Sequence, residues 1–126
     1  MELQIKTEQT RPGVVNLSLI GTIDTETSLI LDKEISVILK SEIQTLVLDM
    51  AGVNYITSAG IGVITKAKAS LKKKDGVIAM INLKPQVKKV FEILRLLPSL
   101  NVFAHVEELD EYLGKIQKQM IEGEEF

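Results

Sequence analysis

The hydrophobic and polar positions change their spacing several times along the chain, and each change marks an element. From Met1 to Lys6 apolar and polar residues alternate, with Leu3 and Ile5 on one side, which predicts a strand. Arg11-Pro12-Gly13 is a turn signal, and Val15, Leu17 and Leu19 then alternate through a second strand over 14–20, most simply antiparallel to the first. Gly21-Thr22-Ile23-Asp24 breaks that pattern, and Asp24 or Thr25 is placed to cap a helix. From Ser28 the period becomes helical, with Leu31, Ile35, Ile38 and Leu39 on one face and an end near Lys40. Thr45-Leu46-Val47-Leu48 reads as a strand buried on both faces, ending at Asp49. A loop through Gly52-Val53-Asn54 leads to a helix carrying Ile61, Ile64, Ala67, Lys68 and Leu71, which ends in Lys72-Lys73-Lys74 before an Asp75-Gly76 stop.

Val77-Ile78-Ala79-Met80-Ile81 predicts another buried strand, and Pro85 suits the first turn of a helix bearing Val87, Val90, Phe91 and Leu94, with Pro98 closing the unit. Leu100 to Ala104 makes a short last strand. A final helix carries Val106, Leu109, Tyr112, Leu113 and Ile116, with acidic residues in its first turns. The segment 121–126 is too polar to pack and reads as an acidic, flexible tail after a single domain over 1–120. The order ββαβαβαβα predicts an α/β fold: a mixed sheet with an antiparallel opening pair, then parallel strands joined by about four helices.

Composition narrows the chemistry. A chain of 126 residues fits one domain, and with 45% hydrophobic and 25% charged residues it is built to fold. Having no Cys removes disulfides, thiolate metal sites and cysteine nucleophiles, and a lone His105 cannot build a multi-histidine centre. Few aromatics, no Trp and a net charge of −2 leave no platform or basic footprint for nucleic acid. No signal-peptide core and no apolar run of roughly 20 residues occurs, so a cytoplasmic protein without membrane partners is expected. No catalytic residue, metal ligand or cofactor is expected, and the free protein is expected to be a monomer. His105 reads as structural, Lys66, Lys68, Lys72, Lys73 and Lys74 as a solvated helix face, and Asp24 as a helix cap ahead of a metal ligand.

The informative stretch is Thr57-Ser58-Ala59-Gly60-Ile61-Gly62, where the loop after a parallel strand turns into a helix. Ser58 could simply be an N-cap, worth about 1 kcal/mol. That leaves Gly60 and Gly62 unexplained, since each costs up to about 1 kcal/mol in a helix. A dinucleotide fingerprint matches only in part, because its third glycine falls at Thr65 and Asn82 supplies no acid for a ribose. A P-loop fails for want of Gly-Lys-Ser/Thr. A phosphoacceptor Ser58 uses the serine, the glycines and the loop position together, because a helix N-terminus favours a phosphate.

Successive landmarks also resemble a known family: Gly21-Thr22-Ile23-Asp24, Leu46-Val47-Leu48-Asp49, Tyr55-Ile56-Thr57-Ser58-Ala59-Gly60-Ile61-Gly62-Val63-Ile64 and Pro85-Gln86-Val87-Lys88-Lys89-Val90-Phe91. Together they are similar to a STAS domain, and more narrowly to the single-domain bacterial anti-sigma factor antagonists, from about Leu3 to Ile116. The resemblance implies a partner switch. The unphosphorylated form binds an anti-sigma factor that is itself a serine kinase, and so frees a sigma factor. Phosphorylation at the position of Ser58 releases the partner, and a phosphatase resets the cycle. It also implies that Asp24 lies near the serine, and that Asp24, Thr25, Thr57, Ser58, Ala59, Gly60, Ile61 and Gly62 make the partner surface. Thr57 stands where the family usually has Asp, and Ala59 where it often has Ser or Thr, so Thr57 is a second candidate acceptor. Two alternatives stay open here: a STAS signalling module with another protein partner, and a small nucleotide-binding α/β domain using the Gly60-Gly62 turn.

Overall fold

A computed structural model of the protein describes residues 2–96 and 100–124. The chain order is β1 (Leu3–Arg11), β2 (Val14–Ile23), α1 (Thr25–Leu39), β3 (Thr45–Ile56), α2 (Ser58–Lys72), β4 (Val77–Ile81), α3 (Pro85–Ile93), β5 (Asn101–Phe103) and α4 (Val106–Glu124). The five strands form one sheet in the order β1-β2-β3-β4-β5. β1 pairs antiparallel with β2, and every later pairing is parallel, as the element order predicts.

The packing follows from that order. Each crossover moves one strand in the same direction, and right-handed crossovers then place α1, α2 and α3 on a single face. The alternating side chains show it. Leu17, Leu48 and Met80 pack on that face with Leu31, Ile35, Ile64, Leu71 and Phe91. Val14, Val47, Ala79 and Ile81 point the other way and are covered by Leu109 and Leu113 of α4. Because the strand order never reverses, the sheet has no switch-point crevice, the usual seat of a nucleotide in an open α/β sheet.

Two predicted breaks are strand instead. β2 continues through Gly21 to Ile23, because Gly21 adopts φ 126° and a Cβ there would stand 2.1 Å from the Glu2 carbonyl oxygen. β3 continues through the predicted Gly52-Val53-Asn54 loop to Ile56. Two register shifts let it stay paired with β2, and Val53 is fully buried. α1 starts at Thr25, a turn ahead of the first clear apolar period. α4 runs to Glu124 and takes in 121–124 of the expected tail, while Pro98 and residues 125–126 lie outside the described residues.

Candidate functional site

β2 and β3 end together, with Ile23 opposite Ile56 in the parallel register. The next residue of each strand takes the N-cap position of a helix: Asp24 that of α1 and Thr57 that of α2. The Thr57 N–H donates to the Ile23 carbonyl at 2.9 Å and so ties the two caps together. Two helix N-termini therefore open side by side at one edge of the molecule, where their partial positive charges add.

The two ends differ in chemistry. At α1 the Asp24 carboxylate accepts from the N–H groups of Glu26 (3.0 Å) and Thr27 (2.9 Å). The Thr27 hydroxyl accepts from the Asp24 N–H at 2.8 Å and donates to the Thr22 carbonyl at 2.7 Å, which completes a capping box. The Thr27 N–H above all, with the Thr27 hydroxyl and the Glu26 N–H, holds the Asp24 carboxyl below its ordinary value.

At α2 nothing of the kind happens. Thr57 makes no side-chain cap, because its hydroxyl turns to the Ile23 carbonyl at 3.3 Å. The first turn of α2 holds no acidic residue, and the first of its own N–H groups to find a backbone acceptor is that of Ile61, on the Thr57 carbonyl. Ser58 is the first helical residue, so the N-cap alternative weighed for it falls to the position of Thr57. Its side chain is exposed, and its hydroxyl makes no hydrogen bond to any described residue. The site thus presents a free hydroxyl on an uncapped helix end, beside a neighbour already capped by a carboxylate.

The remaining predicted residues divide. Thr25 is exposed on the first turn of α1, and Ala59 is half-buried. Gly60 and Ile61 turn inward, so the partner surface predicted from the sequence loses their side-chain positions. A Cβ on Gly60 would lie 2.5 Å from Cγ2 of Ile23 and 2.8 Å from Cγ1 of Ile56, so its missing side chain makes room for this protein's own core. Gly62 is exposed, with nothing within 4 Å of an added Cβ. The phase of α2 carried this signal, since Gly60 lies on the face of Ile64, Ala67 and Leu71 and Gly62 does not.

One residue that the pattern does not single out joins the site. Thr27 completes the α1 cap, a role visible in the spacing Asp-x-x-Thr. His105 sits apart at the start of α4, exposed, with Nδ1 3.1 Å from Glu107. No helix among the described residues is long and apolar enough to cross a membrane.

Residues 6–109 match the STAS domain family. No match is found among curated protein sequences. Among solved structures, the unphosphorylated anti-sigma factor antagonist SpoIIAA is 21% identical, with a TM-score of 0.77 over 88% of this chain and 97% of that one. The phosphorylated form of SpoIIAA from Bacillus is 20% identical, with a TM-score of 0.69 over 86% of this chain and 99% of its own. An anti-sigma factor antagonist from Mycobacterium paratuberculosis is 21% identical, with a TM-score of 0.78 over 92% and 95%. At these identities the structures speak to the fold, and the matched residues span most of the chain: the protein belongs to the STAS domain family.

Proposed function

We propose that this protein is an anti-sigma factor antagonist that works by being bound and is switched by one phosphate on Ser58. In its unphosphorylated form it binds an anti-sigma factor with serine-kinase activity, in the cytoplasm, and frees a sigma factor. Phosphorylation of Ser58 releases the partner, and a phosphatase restores the hydroxyl. The observation that carries this reading is the exposed, unbonded Ser58 hydroxyl at the uncapped start of α2. A phosphoryl group there gains the helix N-terminus locally and adds roughly −1.5 to −2 charges to the surface the partner meets. Its effect falls on the interface and spares the core, because Gly60 and Ile61 face inward.

Thr57 is the poorer acceptor. Its hydroxyl is turned to the Ile23 carbonyl, and phosphorylating it would break that contact at the point where β2 and α2 meet. The neighbouring Asp24, Thr25, Ala59 and Gly62 complete the surface. No side chain in this arrangement is set up as a nucleophile with a base, so the protein is assigned no reaction of its own.

The test is phosphorylation by each serine-kinase anti-sigma factor of the source organism, with ATP and mapping by mass spectrometry. Phosphate on Ser58, lost in Ser58→Ala and kept in Thr57→Val, is the expected result. Phosphate on Thr57 alone, or on neither residue with a kinase shown to be active, overturns the reading.

A further inference from the structure

We propose that two copies of this chain join edge to edge through β1, with their α1 helices packed side by side over the joint and Lys6 and Glu8 fixing the register. The contact lies away from Ser58 and goes beyond the reading of that residue.

β1 is the outer strand of the sheet, and its free edge pairs with no described strand. It pairs regularly with β2 from Leu3 to Gln9, so its side chains alternate between the two faces there. Leu3 and Ile5 pack on the face that carries α1, and the Thr7 hydroxyl donates to Glu34 of α1 at 3.0 Å. Lys6 and Glu8 therefore point to the opposite face, where both are exposed. On β2 they stand opposite Ser18 and Asn16, and neither makes an ion pair with any described residue.

Charges on an edge strand usually keep other strands away. Here they select one way of pairing. A two-fold axis normal to the sheet sets residues of the same face opposite each other, so the register can shift only in steps of two. With Thr7 opposite Thr7 of the second copy, Lys6 of each copy faces Glu8 of the other. A shift of two residues either way sets Lys6 against Lys6 or Glu8 against Glu8. One register is favoured and its neighbours are penalised.

α1 supplies the apolar part of the joint. Its Asp32 turns to Lys66 of α2 and its Glu34 to Thr7 of β1, which marks the flank that overlooks the free edge. Ile30 precedes Glu34 by four residues and Val37 follows it by three, so all three share that flank. Ile30 is 53% exposed and Val37 58% exposed. The axis through Thr7 passes near Glu34 and brings Ile30 of one copy beside Val37 of the other. α1 packs on both β1 and β2, so with strands about 4.8 Å apart the two α1 axes stand about 10 Å apart, a normal spacing for packed helices. The axis also brings the two Glu34 carboxylates toward each other, a repulsion that works against the contact. Because the two copies run antiparallel, their Ser58 sites stay open at opposite edges of the dimer. Neither the free edge nor this flank is visible in the sequence, from which a monomer is expected.

The test is light scattering after gel filtration, with sedimentation over a concentration series up to about 1 mM, on the full chain. Wild type is expected to dimerise. Lys6→Glu or Glu8→Lys alone opposes like charges at both pairs and should raise the dimer Kd by about tenfold or more. The double variant Lys6→Glu/Glu8→Lys, and equally a mixture of the two single variants, should dimerise again. Ile30→Asp should also raise Kd by about tenfold or more, Glu34→Gln should lower it, and Lys68→Glu on α2 should leave it within about twofold. Cooperative melting checks that each variant is folded. A wild type that stays monomeric throughout, or a dimer that both single charge reversals leave within about twofold of wild type, overturns the proposal. So does a failure of both the double variant and the mixture to dimerise, or a Glu34→Gln dimer weaker than wild type.

Discussion

The same substitution made two residues apart should change stability in opposite directions. Gly60→Ala places a methyl 2.5 Å from Cγ2 of Ile23, 2.8 Å from Cγ1 of Ile56 and 3.2 Å from Cβ of Ile23. Both isoleucines are buried and stiff at χ1, and Ile23 is held in β2 directly opposite Ile56 in β3. Neither can swing aside without opening the junction between the sheet and α2. Overpacking of this kind costs about 1–3 kcal/mol, and the better helix propensity of Ala returns at most about 1 kcal/mol. The net expectation is a loss of about 1–2 kcal/mol. Gly62→Ala meets no atom and keeps the propensity gain, so it should add about 0.5–1 kcal/mol. At this chain length 1 kcal/mol moves Tm by roughly 3–5 °C, so the two variants should fall on opposite sides of wild type by a margin that thermal melts resolve. Urea unfolding with unchanged m-values would confirm that stability itself has moved. A Gly60→Ala protein as stable as wild type, or a destabilised Gly62→Ala, would refute the assignment of one glycine to the core and the other to the surface.

Three further outcomes are expected. Phosphorylated Ser58 should raise Tm relative to the unmodified protein, because α2 has no cap of its own and an anion at its first residue is worth about 0.3–1 kcal/mol; a lower Tm in differential scanning calorimetry would contradict this. The Asp24 carboxyl has a folded-state pKa below its unfolded value, so its stabilising effect is present above the unfolded pKa of about 3.9 and is lost as pH falls through the folded one. Wild type should therefore lose more Tm than Asp24→Asn between about pH 5 and about pH 2, and parallel curves would reject the capping account. Phe91→Ala removes the largest fully buried side chain among the described residues and should cost about 3–5 kcal/mol; a loss under about 1 kcal/mol would show that α3 does not seal the core as described.

Much of the fold was legible because period and burial agree. Leu31-Ile35-Ile38 and Ile61-Ile64-Ala67-Leu71 fall on single helical faces, and Val77–Ile81 is apolar throughout because the sheet is covered on both sides there. The misreadings lie where local chemistry and tertiary pairing compete. Gly21 and Gly52 look like breaks, yet both sit inside strands whose partners hold them in place. The site was legible in outline, since Ser58 and Asp24 do stand at neighbouring helix starts. What escaped was one residue of phase. With Thr57 as the cap, Ser58 gives up a capping role and leaves its hydroxyl free, and Gly60 passes from the surface to the core.

The central claim is that one phosphate on Ser58 decides whether the partner stays bound. The direct measurement is the affinity of the anti-sigma factor for two stoichiometric preparations, one unmodified and one phosphorylated only at Ser58, by calorimetry in the same buffer. The account predicts a loss of at least about 1.4 kcal/mol, tenfold in Kd, on phosphorylation, with the fold intact by melting. Equal affinity of the two forms, or tighter binding by the phosphorylated one, would contradict it.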